Sequence, residues 1–236
     1  MHPAAERTTE YAIAPPDVTG IAVEGTAAVF PVARVFCVGR NYAEHAIEMG
    51  HDPDREPPFF FMKPADAVVP PGRLPFPGRT QELHHEVELV VALGKGGRGI
   101  AEDQALDHVF GYAVGLDMTR RDLQAVAKKA GRPWDMAKGF DQSAPTGPIR
   151  TTEAIGHPAR GAVCLHINGE LRQEGDLAQQ IWKVPETISY LSTLVTLRPG
   201  DLIMTGTPSG VGPVEPGDRL EGHIDGVGDV TVTYEG

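Results

Sequence analysis

Glu86 and Glu88 sit two residues apart in EVELVVAL (86–93), a run that first alternates and then becomes fully apolar. Residues i and i+2 of a strand share a face, and like charges side by side there repel. A shared divalent cation would remove that cost, whereas on a solvated strand end the repulsion would be weak. Asp117 is a lone carboxylate closing the mainly apolar run VFGYAVGLDM (109–118). Buried carboxylates are rare without a partner. Two glutamates and an aspartate make an all-oxygen set suited to Mg²⁺, Mn²⁺ or Ca²⁺ rather than Zn²⁺. Asp117 could instead cap the next helix or pair with Arg120 or Arg121.

Other residues could serve such a centre. His45 and Glu48 are three apart in a predicted helix and share a face. A carboxylate beside an imidazole fixes its tautomer and raises its basicity, which suits a general base acting on water. A plain surface pair is the alternative. Arg121 and Gln124 have the same spacing just after Asp117, offering a guanidinium fork for a carboxylate and a neutral donor, or merely a solvated helix face. Lys138, in DMAKGF (135–140), could polarise a substrate carbonyl or be an ordinary surface lysine. His84 or His85 could orient a carboxylate from behind. The loop Thr205–Gly210 (TGTPSG) is too short for a phosphate-binding loop and lacks its lysine. Its hydroxyls and amides could hold a carboxylate, or it could be a simple turn.

The elements that must position these residues are short. Val35–Gly39, Phe59–Met62, Glu86–Leu93, Val109–Met118, Leu202–Thr205, Arg219–Ile224 and Asp229–Tyr234 read as strands. Asn41 with Glu44 resembles a capping box that opens a short helix to Met49, ended by Gly50 and followed by the polar loop 51–58. Thr119 with Asp122 predicts a helix to Lys129–Ala130. Asn168-Gly169 predicts a type I′ hairpin between Val163–Ile167 and Glu170–Gln173. Pro185 opens a helix over 186–196. Strands outnumber helices without a regular alternation, so the expected class is α+β with a mixed, β-rich core.

The chain has 236 residues, enough for one domain. Residues 1–33, rich in Pro, Ala and Thr, read as an arm on a domain spanning 34–236. With 21 basic against 32 acidic residues the net charge is -11. That argues against nucleic-acid or anionic-membrane partners, and an anionic substrate would need a local positive island or a metal. No apolar stretch reaches the roughly 18 residues of a membrane span, and MHPAAERTTE lacks the form of a signal peptide. Cys37 and Cys164, the only cysteines, lie in apolar runs and read as buried structural thiols in a reducing, cytoplasmic setting.

Read together, VGRNYAEHAIEMG (38–50), FMKP (61–64), LHHEVEL (83–89), GYAVGLDMTRRDLQ (111–124), WDMAKGFDQSAP (134–145), INGELRQ (167–173) and DLIMTGTPSGVGP (201–213) resemble the fumarylacetoacetate hydrolase family. The resemblance implies a mixed β-sandwich or β-roll core and a metal, Mg²⁺ or Mn²⁺ with Ca²⁺ as a further option, held by Glu86, Glu88 and Asp117. It implies a water-activating pair of His45 and Glu48, and substrate contacts from Arg121, Gln124, Lys138 and Thr207. It also implies a homodimer or a higher even oligomer. Residues 50–69, with the Pro-rich arm, are most similar to members that cleave fumarylpyruvate in gentisate breakdown. The expected substrate is therefore a small anionic 2,4-diketo acid, hydrolysed at a carbon–carbon bond. Acylpyruvate hydrolysis, decarboxylation of oxaloacetate and dienedioate isomerisation on the same metal site are the alternatives, as is a non-catalytic binding module.

Overall fold

The computed structural model describes residues 11–43 and 56–235. A six-stranded and a five-stranded sheet carry the architecture. In chain order their strands are β1 (Arg34–Gly39), β2 (Phe59–Lys63), β3 (Gly72–Pro75), β4 (Val87–Leu93), β5 (Val109–Leu116), β6 (Arg150–Thr151), β7 (Ala162–Ile167), β8 (Glu170–Asp176), β9 (Asp201–Met204), β10 (Arg219–Ile224) and β11 (Gly228–Glu235). The larger sheet runs β6-β5-β4-β9-β1-β2 and the smaller β8-β7-β10-β11-β3. Both are mixed: only β9–β1 and β11–β3 pair in parallel. The helices used below are α1 (Arg121–Lys129), α2 (Asp135–Lys138) and α3 (Val184–Leu194). The α+β expectation holds.

β4 explains why its sequence stops alternating. Val87, Leu89, Val91 and Leu93 join Leu165, Leu220, Val230 and Val232 of the smaller sheet in one core. Val90 and Ala92, on its other face, pack with Cys37, Leu202 and Met204, and with Ile21, Val23 and Phe30 from the hairpin Gly20–Ala22/Val29–Pro31. A strand covered on both faces has no polar side to show. Each large aliphatic side chain buried this way contributes about 1.5–3 kcal/mol. The sheets approach closely at Gly222, where a Cβ would lie 3.1 Å from Val87 Cγ2 and 3.0 Å from Val230 Cγ1.

The hairpin of β7 and β8 turns at Asn168 and Gly169, whose φ values of 52° and 84° are those a type I′ turn requires. α3 starts at Val184 with Pro185 in its first turn. Two expectations change. Thr119 does not cap α1: its hydroxyl donates to the Asp117 carbonyl, and Thr119–Arg120 forms a short strand beside Leu83–His84. Asp122 instead accepts from Thr80 Oγ1 and from the Gln81 and Leu123 amides, so α1 begins at Arg121. Cys164 is only half-buried, unlike Cys37, because it points to the outer face of the smaller sheet. The predicted helix 41–49, beyond Ala43, and most of the loop 51–58 lie outside the described residues.

On that outer face His223 Nδ1 lies 2.6 Å from Asp229 Oδ1, and Nε2 lies 3.2 Å from Asp225 Oδ1. The Asp229 hydrogen bond, opposed by partial burial and aided by Asp225, raises the imidazole's pKa above 6.5. A raised folded-state pKa adds stability that is complete below the unfolded value and is lost as pH rises through the folded one. His223→Gln should therefore lower the melting temperature more near about pH 5.5 than near about pH 9. Equal losses in thermal melts at the two pH values would refute this.

Candidate active site

Backbone pairing brings the three carboxylates together. The Asp117 amide donates to the Glu86 carbonyl at 2.8 Å, so the entry to β4 and the exit from β5 run side by side. A small sheet of Leu83–His84, Thr119–Arg120 and Pro213–Val214 holds both flanks. Glu86, Glu88 and Asp117 then each offer an oxygen within 4.8 Å of the others, and all three are buried.

Three cations answer them. Lys138, at the end of the single turn α2, donates to Glu86 Oε2 at 2.7 Å and to Asp117 Oδ2 at 2.8 Å. Burial alone would lower its pKa, but Asp117 and Glu86 outweigh burial and raise it. Arg121 Nη2 donates to Glu86 Oε1 at 2.5 Å. Lys63, from the end of β2 and fully buried, lies 2.8 Å from Asp117 Oδ1 and also donates to the carbonyls of Met118 and Lys138. Asp117 thus pairs with two lysines, not with Arg120 or Arg121, and Lys138 is no surface lysine. Nothing in the sequence pattern singled out Lys63 beyond its place in FMKP. The available signal was a lysine closing the apolar run FFFM, where only a buried carboxylate could balance it.

The set fits a divalent cation. Asp117 Oδ1 is buried and makes no hydrogen bond, its contact with Lys63 being Coulombic only. Among the described residues Glu88 has no cationic partner; the Gly206 amide donates to its Oε2 at 2.8 Å. Burial, then Asp117 and Glu86, push the Glu88 pKa well above its usual range. A dication bound by these oxygens would supply the missing positive charge.

The carboxylates open into a cleft with about 450 Å³ of empty space, counted to its solvent-facing mouth. Arg121, Gln124, Lys138 and Thr207 also line it, with Phe61, Trp134, Arg40 and Lys128. Arg121 Nη1 donates to Gln124 Oε1 at 2.6 Å, which leaves the Gln124 amide nitrogen as a donor. The Thr207 hydroxyl is already engaged: it donates to the Val87 carbonyl at 2.7 Å and accepts from Gln173 Nε2 at 2.8 Å. Its side chain fixes the loop, so any contact with an anion falls to the backbone. Buried Gln173, not foreseen from sequence, also accepts from the Val87 amide and bonds His85 Nδ1. Neither histidine plays its expected part through these contacts. His85 meets Gln173, while His84 Nδ1 accepts from Arg121 Nε at 3.3 Å. Burial and Arg121 push the His84 pKa down to about 4, so it is a neutral acceptor at pH 7.

His45 and Glu48 lie outside the described residues. The chain just before them is well anchored. Asn41 Nδ2 donates to the Trp182 and Thr205 carbonyls, its Oδ1 accepts from the Trp182 amide, and its carbonyl accepts from the Ile181 amide.

The model of the fumarylacetoacetate (FAA) hydrolase C-terminal domain matches residues 34–234. A crystal structure of fumarylpyruvate hydrolase from Pseudomonas aeruginosa, in complex with Mn²⁺ and pyruvate, is 54% identical. It superposes with a TM-score of 0.94 over 96% of this chain and 99% of that one. Oxaloacetate tautomerase FAHD1 of Mus musculus is 48% identical over 194 residues, 82% of this chain and 87% of the relative. The 5-carboxymethyl-2-hydroxymuconate delta-isomerase of Mycobacterium smegmatis is 33% identical, with a TM-score of 0.78 over 88% of this chain and 80% of that one. Similar chains and folds thus carry several named chemistries, and this chain belongs to the fumarylacetoacetate hydrolase family.

Proposed function

We propose that the protein is a divalent-metal-dependent hydrolase that cleaves a carbon–carbon bond in a 2,4-diketo acid, with fumarylpyruvate as substrate and fumarate and pyruvate as products. The single observation that carries this reading is the 54% identity, across nearly the whole chain, to the Pseudomonas fumarylpyruvate hydrolase. The oxygen-rich cluster of Glu86, Glu88 and Asp117 supports Mg²⁺ or Mn²⁺ as the cofactor. When bound, such a cation supplies Lewis-acid stabilisation of negative charge on substrate oxygens.

This chain's own residues divide the remaining work. Arg121 and the Gln124 amide receive the carboxylate next to the 2-oxo group. His45, oriented by Glu48, takes a proton from water, and the resulting hydroxide attacks the distal carbonyl. Lys138, held at the cluster by Glu86 and Asp117, stabilises the oxyanion that develops there. Trp134 and Phe61 cover the cleft and keep bulk water from the departing enolate.

A second reading, oxaloacetate tautomerisation, is favoured by the 48% identity to the mouse enzyme. It needs the same metal and anion contacts, but no attacking water.

Three outcomes test these readings. Exhaustive chelation should abolish fumarylpyruvate cleavage, and Mg²⁺ or Mn²⁺ should restore it. Glu88→Gln should weaken Mn²⁺ binding, measured by calorimetry, by no less than the roughly 10–100-fold that loss of an outer partner costs; unchanged affinity would remove the metal assignment. His45→Ala should lower kcat for hydrolysis by about 10²–10⁴-fold with Mn²⁺ affinity retained. Undiminished turnover in that variant would sink the water-activating role and favour the enolising reading. The exposed apolar side chains Tyr11, Ile13 and Val18 near the N-terminus support a homodimer as the working form. Light scattering at micromolar concentration should give twice the chain mass, and a monomer would refute it.

A further inference from the structure

Two cations that line the cleft take no part in the ion pairs of the carboxylate cluster. Arg121 spends three of its five N–H groups on His84, Gln124 and Glu86, which leaves two for the near carboxylate. Arg40 and Lys128 line the same cleft, and neither has an ion-pair partner among the described residues. Arg40 follows β1 in a left-handed conformation, φ 60°, that non-glycine residues seldom adopt. Lys128 comes from the last turn of α1, and its Nζ stands 5.9 Å from the Trp134 ring centroid. Its pKa is lowered, first by burial and then by the charges of Arg40 and Arg121. Three cations therefore crowd one mouth on a protein whose net charge is -11. Unrelieved like charges at a cleft are costly, and an anion placed between them removes the cost.

We propose that Arg40 and Lys128 form a second anion subsite that takes the far carboxylate of a dicarboxylic substrate. Arg121 and Gln124 hold the near carboxylate, and the unsaturated chain between lies along Phe61 and Trp134. Those two rings sit 6.0 Å apart, centroid to centroid, and both line the cleft. The inference rests on the diketo-acid reading above for the position of the near end. It adds the residues that recognise the far end, so that a 2-oxo acid with a terminal carboxylate is preferred over one with a terminal methyl group. Arg40 and Lys128 are specificity residues here, and no proton transfer is assigned to them.

The test separates recognition from turnover by using ligands that cannot be cleaved. Calorimetry on the Mn²⁺-loaded protein compares 2-oxoheptanedioate with 2-oxoheptanoate, which differ only in the terminal carboxylate. The dioate should bind on the order of tenfold or more tighter in the unaltered protein, as expected for charge-assisted hydrogen bonds. That ratio should fall toward one in Arg40→Gln and in Lys128→Met. Lys128→Met, in the last turn of α1 and only partly buried, keeps the test valid if Arg40→Gln fails to fold. A ratio near one in the unaltered protein, or one that survives in the folded variants, would overturn the subsite. If the ratio behaves as stated but no 2,4-diketo acid is turned over, the hydrolase reading fails and the subsite stands.

Discussion

Three carboxylates gathered in the interior are the constraint on which the rest of the structure depends. Glu86, Glu88 and Asp117 lie at the entry to β4 and the exit from β5, buried at the floor of the cleft, where solvent screens them weakly. Such a cluster persists only if positive charge is brought to it. Lys63 arrives from the end of β2, Lys138 from α2 and Arg121 from the start of α1. Three separate chain segments are thereby tied to one point. The share left without an ion pair falls on Glu88, and that is why the cluster fits a cation as well as a buried salt-bridge network.

The same arrangement explains how one site can serve several chemistries. In the proposed reading the metal, the Arg121 guanidinium and Lys138 all serve the 2-oxo acid end of the substrate. The two proposed reactions would differ in the treatment of the far end and in the need for an activated water. These belong to different parts of the chain: the cleft mouth with Arg40, Lys128 and Trp134, and the segment holding His45 and Glu48.

Support behind the site is as important as its charged groups. Gln173 ties the loop at Thr207 to the start of β4 and to His85, while Asn41 ties the chain after β1 to Trp182 and Thr205. Each amide fills nearly all of its hydrogen-bonding capacity inside the protein, which holds loops with the precision of strands. Thr207 shows the effect. Its hydroxyl, a candidate ligand when the sequence is read alone, is consumed in fixing the loop.

By itself the sequence determined the strands, the type I′ hairpin at Asn168-Gly169, the α+β class and the carboxylate set. These follow from local rules: side-chain alternation, turn chemistry and the rarity of a charge in an apolar run. The family motifs suggested roles for Lys138, Arg121 and Gln124, and for His45 and Glu48, which fall outside the described residues. Only the tertiary structure decided which cation meets which carboxylate. Lys63 lies 54 positions before Asp117 in the sequence, and no spacing rule joins them. The hydrogen-bond competition that moved the start of α1 to Arg121, by giving Asp122 to Thr80 and Gln81, was equally hidden. So was the convergence of Arg40 and Lys128 on one cleft. Electrostatic pairing depends on distance and burial, and a linear sequence records neither.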